Sequence, residues 1–176
     1  MDKIVVGFSK PKVWKPFAWL IQTAYGTEYS HVFIRMHSNF YDRDLIYQAS
    51  GTSVNFVGTV HFNDINTVVQ EFEIDITETQ KKAIIQFAID NSGKPYGIAE
   101  VFGLAIVRIA ELMGKVIKNP IRDNRSTYVC SELVSYIIKD CSDIHLPKHP
   151  EDMTPKDVYD AMVALKNYQV GFLAQK

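Results

Sequence analysis

The stretch STYVCSELVSYII, residues 126–138, places a cysteine at the front of an apolar helix, directly after a polar, turn-prone run. If the helix begins near Thr127, Cys130 lies in its first turn and heads an apolar stripe that continues through Leu133, Val134, Ile137 and Ile138. Such a cysteine is usually a small packing residue. A thiol at a helix N-terminus also has a lowered pKa and free backbone N–H groups beside it, which suit a nucleophile. The stretch alone favours packing and leaves both interpretations open.

Composition limits the class of protein. The chain has 176 residues, 47% of them hydrophobic and 22% charged, which predicts a single globular domain over 1–176. A formal net charge of -1 argues against a nucleic-acid-binding surface. The N-terminal apolar run is too short for a signal peptide, and the most apolar segment, 101–117, is charged and too short to span a membrane. We therefore expect the protein to be cytoplasmic as synthesised, with its final site of action left open.

Hydrophobic periodicity predicts strands early in the chain and helices later. The expected strands are 3–9, 30–36, 44–50, 53–57 and 67–74, with a last strand over 167–173. The expected helices are a first one that begins at Pro11 and ends just before Gly26, then 78–92 with a capping box at Thr77, 98–117, the helix headed by Cys130, and a short one from Pro155. This order predicts an α+β fold with an antiparallel sheet packed against helices.

A thiol nucleophile needs a base, and His31 is the strongest candidate. It lies at the start of a predicted strand, and alternation places it on the face of Phe33, opposite Val32 and Ile34. A lone histidine on a strand is more often structural than catalytic, so His31 carries little weight without a partner.

Metal and disulfide chemistry receive weaker support. His145 and His149 have a spacing that suits a metal on a helix, but Pro147 between them argues against that helix. Cys130 and Cys141 at the two ends of one helix would be roughly 16 Å apart, too far for a disulfide. We expect neither metal nor cofactor.

Three separated motifs taken together resemble a known family. YSHVFIR, YQASGTSV and YVCSELV occur in this order, with GKPYG between the last two and MTPKDV near the end. The set is similar to the circularly permuted papain-like (NlpC-type) cysteine hydrolases, and especially to their YiiX/YaeF-like group. The resemblance implies a permuted papain-like fold, with Cys130 as nucleophile, His31 as base and Gln48 as the residue that orients His31. It further implies that the backbone N–H of Cys130, helped by the Tyr128 hydroxyl, stabilises the oxyanion.

The chain departs from the family pattern at one of these positions. The family usually has a glutamate where this chain has Gln48. An amide oxygen can fix a histidine tautomer but cannot stabilise imidazolium with a full charge. Papain uses an amide in this role, so the mechanism survives the change, while the alternative interpretation is an ordinary solvated strand glutamine.

Three functions follow from the resemblance. The first is a hydrolase of amide bonds, a peptidase or peptidoglycan-type amidase that forms an acyl-enzyme. The second is a lipid-directed esterase or acyltransferase, since the segments 101–117 and 10–21 would suit an acyl-lipid substrate or a membrane surface. Core packing of these amphipathic helices is the simpler explanation, so membrane contact is not favoured. The third is a binding module on the same fold without turnover.

Overall fold

The fold is built on a five-stranded antiparallel sheet. The structure is a computed structural model that describes residues 2–117, 120–121, 127–141 and 144–173. Its strands are β1 (Asp2–Pro11), β2 (His31–Ser38), β3 (Arg43–Ser50), β4 (Ser53–Gly58) and β5 (Asn66–Ile76). They are arranged in the order β4-β3-β2-β1-β5, and each neighbouring pair is antiparallel. The predicted α+β class with an antiparallel sheet is confirmed.

Helices surround this sheet and occupy most of the second half of the chain. They are α1 (Pro16–Tyr25), α2 (Thr59–Ile65), α3 (Glu78–Asn91), α4 (Ile98–Leu112), α5 (Cys130–Cys141) and α6 (Pro155–Leu173), with a 3₁₀ turn at Pro150–Asp152. The predicted capping box of α3 is present, because Thr77 accepts from the Gln80 backbone and Gln80 accepts from the Thr77 backbone. Within the described residues, no helix combines the length and the apolar character needed to cross a bilayer.

Four predicted helix boundaries differ from the structure. Helix α5 begins at Cys130 and not near Thr127, and the helix predicted to be short from Pro155 continues to Leu173. The first helix begins at Pro16 and not at Pro11, because β1 remains paired with β5 through Pro11. The helix predicted over 98–117 ends at Leu112, and Gly114 follows it in a left-handed conformation with φ 74°. Helix α2 was not predicted at all.

The strand predicted over 167–173 is wrong, because this segment belongs to α6. Valine, tyrosine and phenylalanine favoured a strand by local preference. However, the segment from Lys156 to Leu173 contains no proline, and each residue added to an existing helix gains one backbone hydrogen bond. The helix therefore continues through a segment that local preference alone would assign to a strand.

The main core lies between one face of the sheet and helices α3, α5 and α6. The stripe predicted for α5 is confirmed, since all of its members are fully buried there (Leu133, Val134, Ile137 and Ile138). The β2 alternation is also confirmed: Val32 and Ile34 belong to this core, whereas Phe33 packs on the opposite face against Phe62 of α2. Packing of α5 on β2 and β3 thereby brings its N-terminus to the end of the sheet where His31 begins β2.

Candidate active site

His31 and Gln48 lie side by side on neighbouring strands. The Nε2 atom of His31 is 2.8 Å from Oε1 of Gln48. The other end of the amide is also held, because its Nε2 donates to Oδ1 of Asn55 at 3.5 Å, and Asn55 donates to the Ser53 carbonyl at 3.2 Å. Gln48 is buried, so it is not a solvated strand residue.

This hydrogen bond sets the tautomer of the imidazole. An amide oxygen can only accept, so Nε2 of His31 carries the proton and Nδ1 keeps its lone pair. The pKa of His31 is lowered from 6.5 to about 4. Burial is the main cause, the hydrogen bond to Gln48 acts in the opposite direction, and the nearby charge of Lys15 adds to the lowering. At neutral pH His31 is therefore an uncharged base.

The sulfur of Cys130 lies against the backbone of β2 at the end where β2 is no longer paired with β3. The ladder between these strands stops at the pair Ile34–Tyr47, so Val32 has no partner in β3 in the ladder. The backbone N–H of Val32 donates instead to the sulfur of Cys130, together with the N–H of Ser131. Because Val32 follows His31 directly, the thiol lies against the backbone that carries the candidate base.

Tyr96 is a further member of the site that was not predicted. Its hydroxyl donates to the sulfur of Cys130. A short parallel bridge holds it there: the N–H of Gly97 donates to the carbonyl of Tyr128 at 3.0 Å, and the N–H of Tyr128 donates to the carbonyl of Pro95 at 3.1 Å. The GKPYG motif drew attention to this segment in the sequence, but nothing in the motif indicates a role for its tyrosine.

The protonation of Cys130 differs from the expectation for a helix N-terminus. The thiol is 3% exposed, and burial raises its pKa more than the surrounding donors lower it. Burial also raises the pKa of Tyr96 well above its usual value, so this hydroxyl stays protonated as a donor. The resting site therefore contains a neutral thiol and a neutral imidazole.

Tyr128 lies near this site, but its hydroxyl is directed elsewhere. The hydroxyl donates to Oδ1 of Asn91 at 3.0 Å, and the ammonium of Lys94 lies over the ring at 5.1 Å from its centroid. Of the two tyrosines, Tyr96 is the one whose hydroxyl contacts the sulfur.

Two spaces border the site, and Tyr96 lines both. The first is a narrow apolar cavity of about 20 Å³ against Cys130, walled by α1, α4 and the start of α5 through Leu20, Ile21, Ala24, Tyr25, Val101 and Val129. A volume of this size holds one small group. The second is an open groove of about 260 Å³ that contains His31, and Lys15 is the one charged residue among the described residues that line it.

The predicted absence of a helix around His145 and His149 is confirmed, since both lie in the irregular segment 144–149. In the parts of the chain that the structure describes, no group of three or more His, Cys, Asp or Glu side chains is arranged to hold a metal.

No family model matches the chain, and no curated protein matches it.

Proposed function

We propose that this chain is a cysteine-dependent hydrolase of the permuted papain-like type that acts through an acyl-enzyme. The observation that carries the proposal is that the Cys130 sulfur lies on the N–H of Val32, the residue that follows His31 in β2, while Gln48 holds the His31 imidazole in one tautomer. A thiol, an adjacent base and a residue that orients the base are the parts that nucleophilic acyl transfer requires.

The proposed reaction begins from the neutral pair. Nδ1 of His31 takes the proton of the Cys130 thiol while the sulfur attacks the substrate carbonyl, so a C–S bond forms as the S–H bond breaks. The Cys130 N–H and the Tyr96 hydroxyl donate to the oxyanion. The imidazolium then returns its proton to the leaving amine as the C–N bond breaks. Water, deprotonated by His31, hydrolyses the thioester and restores the thiol.

An amide in a peptide or in peptidoglycan is the first candidate substrate. The cavity against Cys130 is apolar and fits a group of the size of a methyl. The groove beside His31 is larger and more polar, so it accommodates the bulkier side of the substrate. A small apolar group next to the scissile carbonyl is therefore part of the proposal.

An acyl-lipid is the second candidate substrate. The lining of the groove includes Phe17, Ala18, Ile21 and Ile98, which would suit a hydrocarbon chain lying along α1. In this case the thioester forms in the same way, and the leaving group is an alcohol and not an amine.

Trapping of the acyl-enzyme tests the proposal. The protein is mixed with 4-nitrophenyl acetate, whose acyl group fits the small cavity, quenched in acid and examined by intact mass and peptide mapping. We expect one acetyl group on Cys130, with loss of labelling in Cys130→Ala and in His31→Ala. Cys141→Ala is the matched control and should label like the native chain.

Two results decide between the candidates. Turnover of alanyl 4-nitroanilide or of short peptides favours the amide hydrolase, whereas turnover of long-chain 4-nitrophenyl esters alone favours the lipid enzyme. Labelling of Cys130 that persists unchanged in His31→Ala, without turnover of any of these substrates, would contradict both and leave the binding module.

A further inference from the structure

A cluster of exposed apolar side chains surrounds the start of α1. Residues 12–19, here called the tip, comprise the loop after β1 and the first turn of α1. Four large side chains of the tip are exposed to solvent: Val13 by 72%, Trp14 by 71%, Phe17 by 41% and Trp19 by 54%. Trp14 and Trp19 are the only tryptophans of the chain. Core packing, the simpler explanation of this amphipathic segment, therefore does not account for these side chains.

The apolar surface extends from the tip onto α4. The rings of Phe17 and Phe102 are in edge-to-face contact with centroids 5.2 Å apart. Ile98 and Ile106 lie one turn before and one turn after Phe102, and all three are exposed by 44 to 47%. The tip and this stripe of α4 thus form one exposed apolar surface, which borders the groove that contains His31.

The charged residues of the segment that contains the tip have one sign. The sequence from Lys10 to Thr27 contains three lysines and no acidic residue. On α4, the acid of the stretch 98–107 is Glu100, which is buried and accepts from Thr127. Segments that combine tryptophan and phenylalanine with lysine are typical of proteins that bind the surface of an anionic bilayer. Their rings enter the headgroup region, and their ammonium groups contact lipid phosphates.

We infer that the tip and the exposed stripe of α4 bind the surface of an anionic lipid bilayer, with Trp14, Phe17 and Trp19 inserted at the interface. This orientation turns the mouth of the groove toward the membrane. Binding does not depend on turnover, so it can be tested in the Cys130→Ala variant as well as in the native chain.

The two tryptophans report on binding directly. The full chain is titrated with vesicles of phosphatidylcholine containing about a third phosphatidylglycerol, and with vesicles of phosphatidylcholine alone. We expect the tryptophan emission to move to shorter wavelength and the protein to co-sediment with the anionic vesicles, and 0.5 M salt to weaken binding by about tenfold. Cys130→Ala should bind like the native chain.

Variants locate the contact by co-sedimentation. We expect Trp14→Ser with Trp19→Ser to weaken binding about tenfold or more, because each exposed ring contributes apolar area at the interface. Phe40→Ser is the matched control: Phe40 is 88% exposed in the turn between β2 and β3, at the end of β2 remote from His31, and its loss should change nothing.

Three outcomes would overturn the inference: no emission shift with anionic vesicles, equal loss of binding in Phe40→Ser, or a stable dimer that the double tryptophan variant converts to monomer. The last outcome would assign the surface to a second copy of the chain. None of these outcomes bears on acylation of Cys130, so failure of membrane binding and failure of the proposed hydrolase are separable.

Discussion

The hydroxyl of Tyr96 donates a hydrogen bond to the sulfur of Cys130. The two residues come together because the backbone at Tyr96 and the backbone at Tyr128 form a short parallel bridge just before α4 and α5 begin. A protonated phenol in this position can donate to the thiol at rest and to the oxyanion during acyl transfer.

Tyr96→Phe should lower kcat without unfolding the chain. The substitution removes one donor to the developing charge and keeps the ring that lines both the cavity and the groove. Loss of one such donor costs about 10²–10³-fold in kcat. Steady-state kinetics with 4-nitrophenyl acetate, beside the thermal melting curve, measure both effects. An unchanged kcat would remove Tyr96 from the mechanism.

Tyr128→Phe is the informative comparison, because the family resemblance implied the same role for Tyr128. Its hydroxyl donates to Asn91 and not to the sulfur. We expect this variant to lose about 1 kcal/mol of unfolding free energy and to keep kcat within about threefold of the native value. Chemical denaturation and the same kinetic assay check the two parts. A larger loss of kcat than in Tyr96→Phe would restore the sequence-based assignment.

Gln48→Leu should lower kcat by about 10- to 100-fold with little change in KM, because the imidazole loses the acceptor that fixes its tautomer. Gln48→Glu restores an acceptor and adds a negative charge, which raises the pKa of His31. The acid limb of the kcat/KM profile should therefore move to higher pH in Gln48→Glu. If both variants behave like the native chain, Gln48 does not position His31.

Much of the fold could be predicted from sequence, because local patterns carry it. Alternation in β2 and the apolar stripe of α5 each report which face is buried, and the Thr77–Gln80 capping box marks a helix start. Helix α2 could not be predicted in this way, since its seven residues are too few to show a helical period.

The site was only partly predictable, for a different reason. His31 and Cys130 each have a local signature, a strand start and a helix start. The role of Tyr96 depends on pairing between the segments at 95–97 and 128, which are remote in sequence. The raised pKa of Cys130 likewise depends on burial by elements that the helix itself does not contain. Sequence reasoning expected the helix N-terminus to lower the pKa of the Cys130 thiol. Desolvation of the thiol has the larger effect and raises this pKa.

The depressed pKa of His31 predicts a loss of stability in acid. An unfolded chain binds a proton on this histidine below about pH 6.5, whereas the folded chain resists protonation until about pH 4. The unfolding free energy should therefore be fully present above pH 6.5 and fall by up to roughly 3 kcal/mol between pH 6.5 and 4. His31→Gln cannot titrate, so the difference between its denaturation curves and those of the native chain isolates this contribution. Parallel pH profiles for the two proteins would contradict the assignment.

Gly7→Ala tests whether the sheet face beneath His31 is packed without spare room. A Cβ at Gly7 would overlap the ring of Phe33, which is fully buried against Phe62 with centroids 4.6 Å apart. We expect a loss of about 1–3 kcal/mol in unfolding free energy. Gly58→Ala is the matched control, because nothing lies within 4 Å of a Cβ there and its change should stay within about 0.5 kcal/mol. Since Gly7 and Phe33 share one space, Gly7→Ala combined with Phe33→Leu should cost less than the sum of the two single changes. If the two losses of unfolding free energy add, the Phe33 ring does not limit the space available at Gly7.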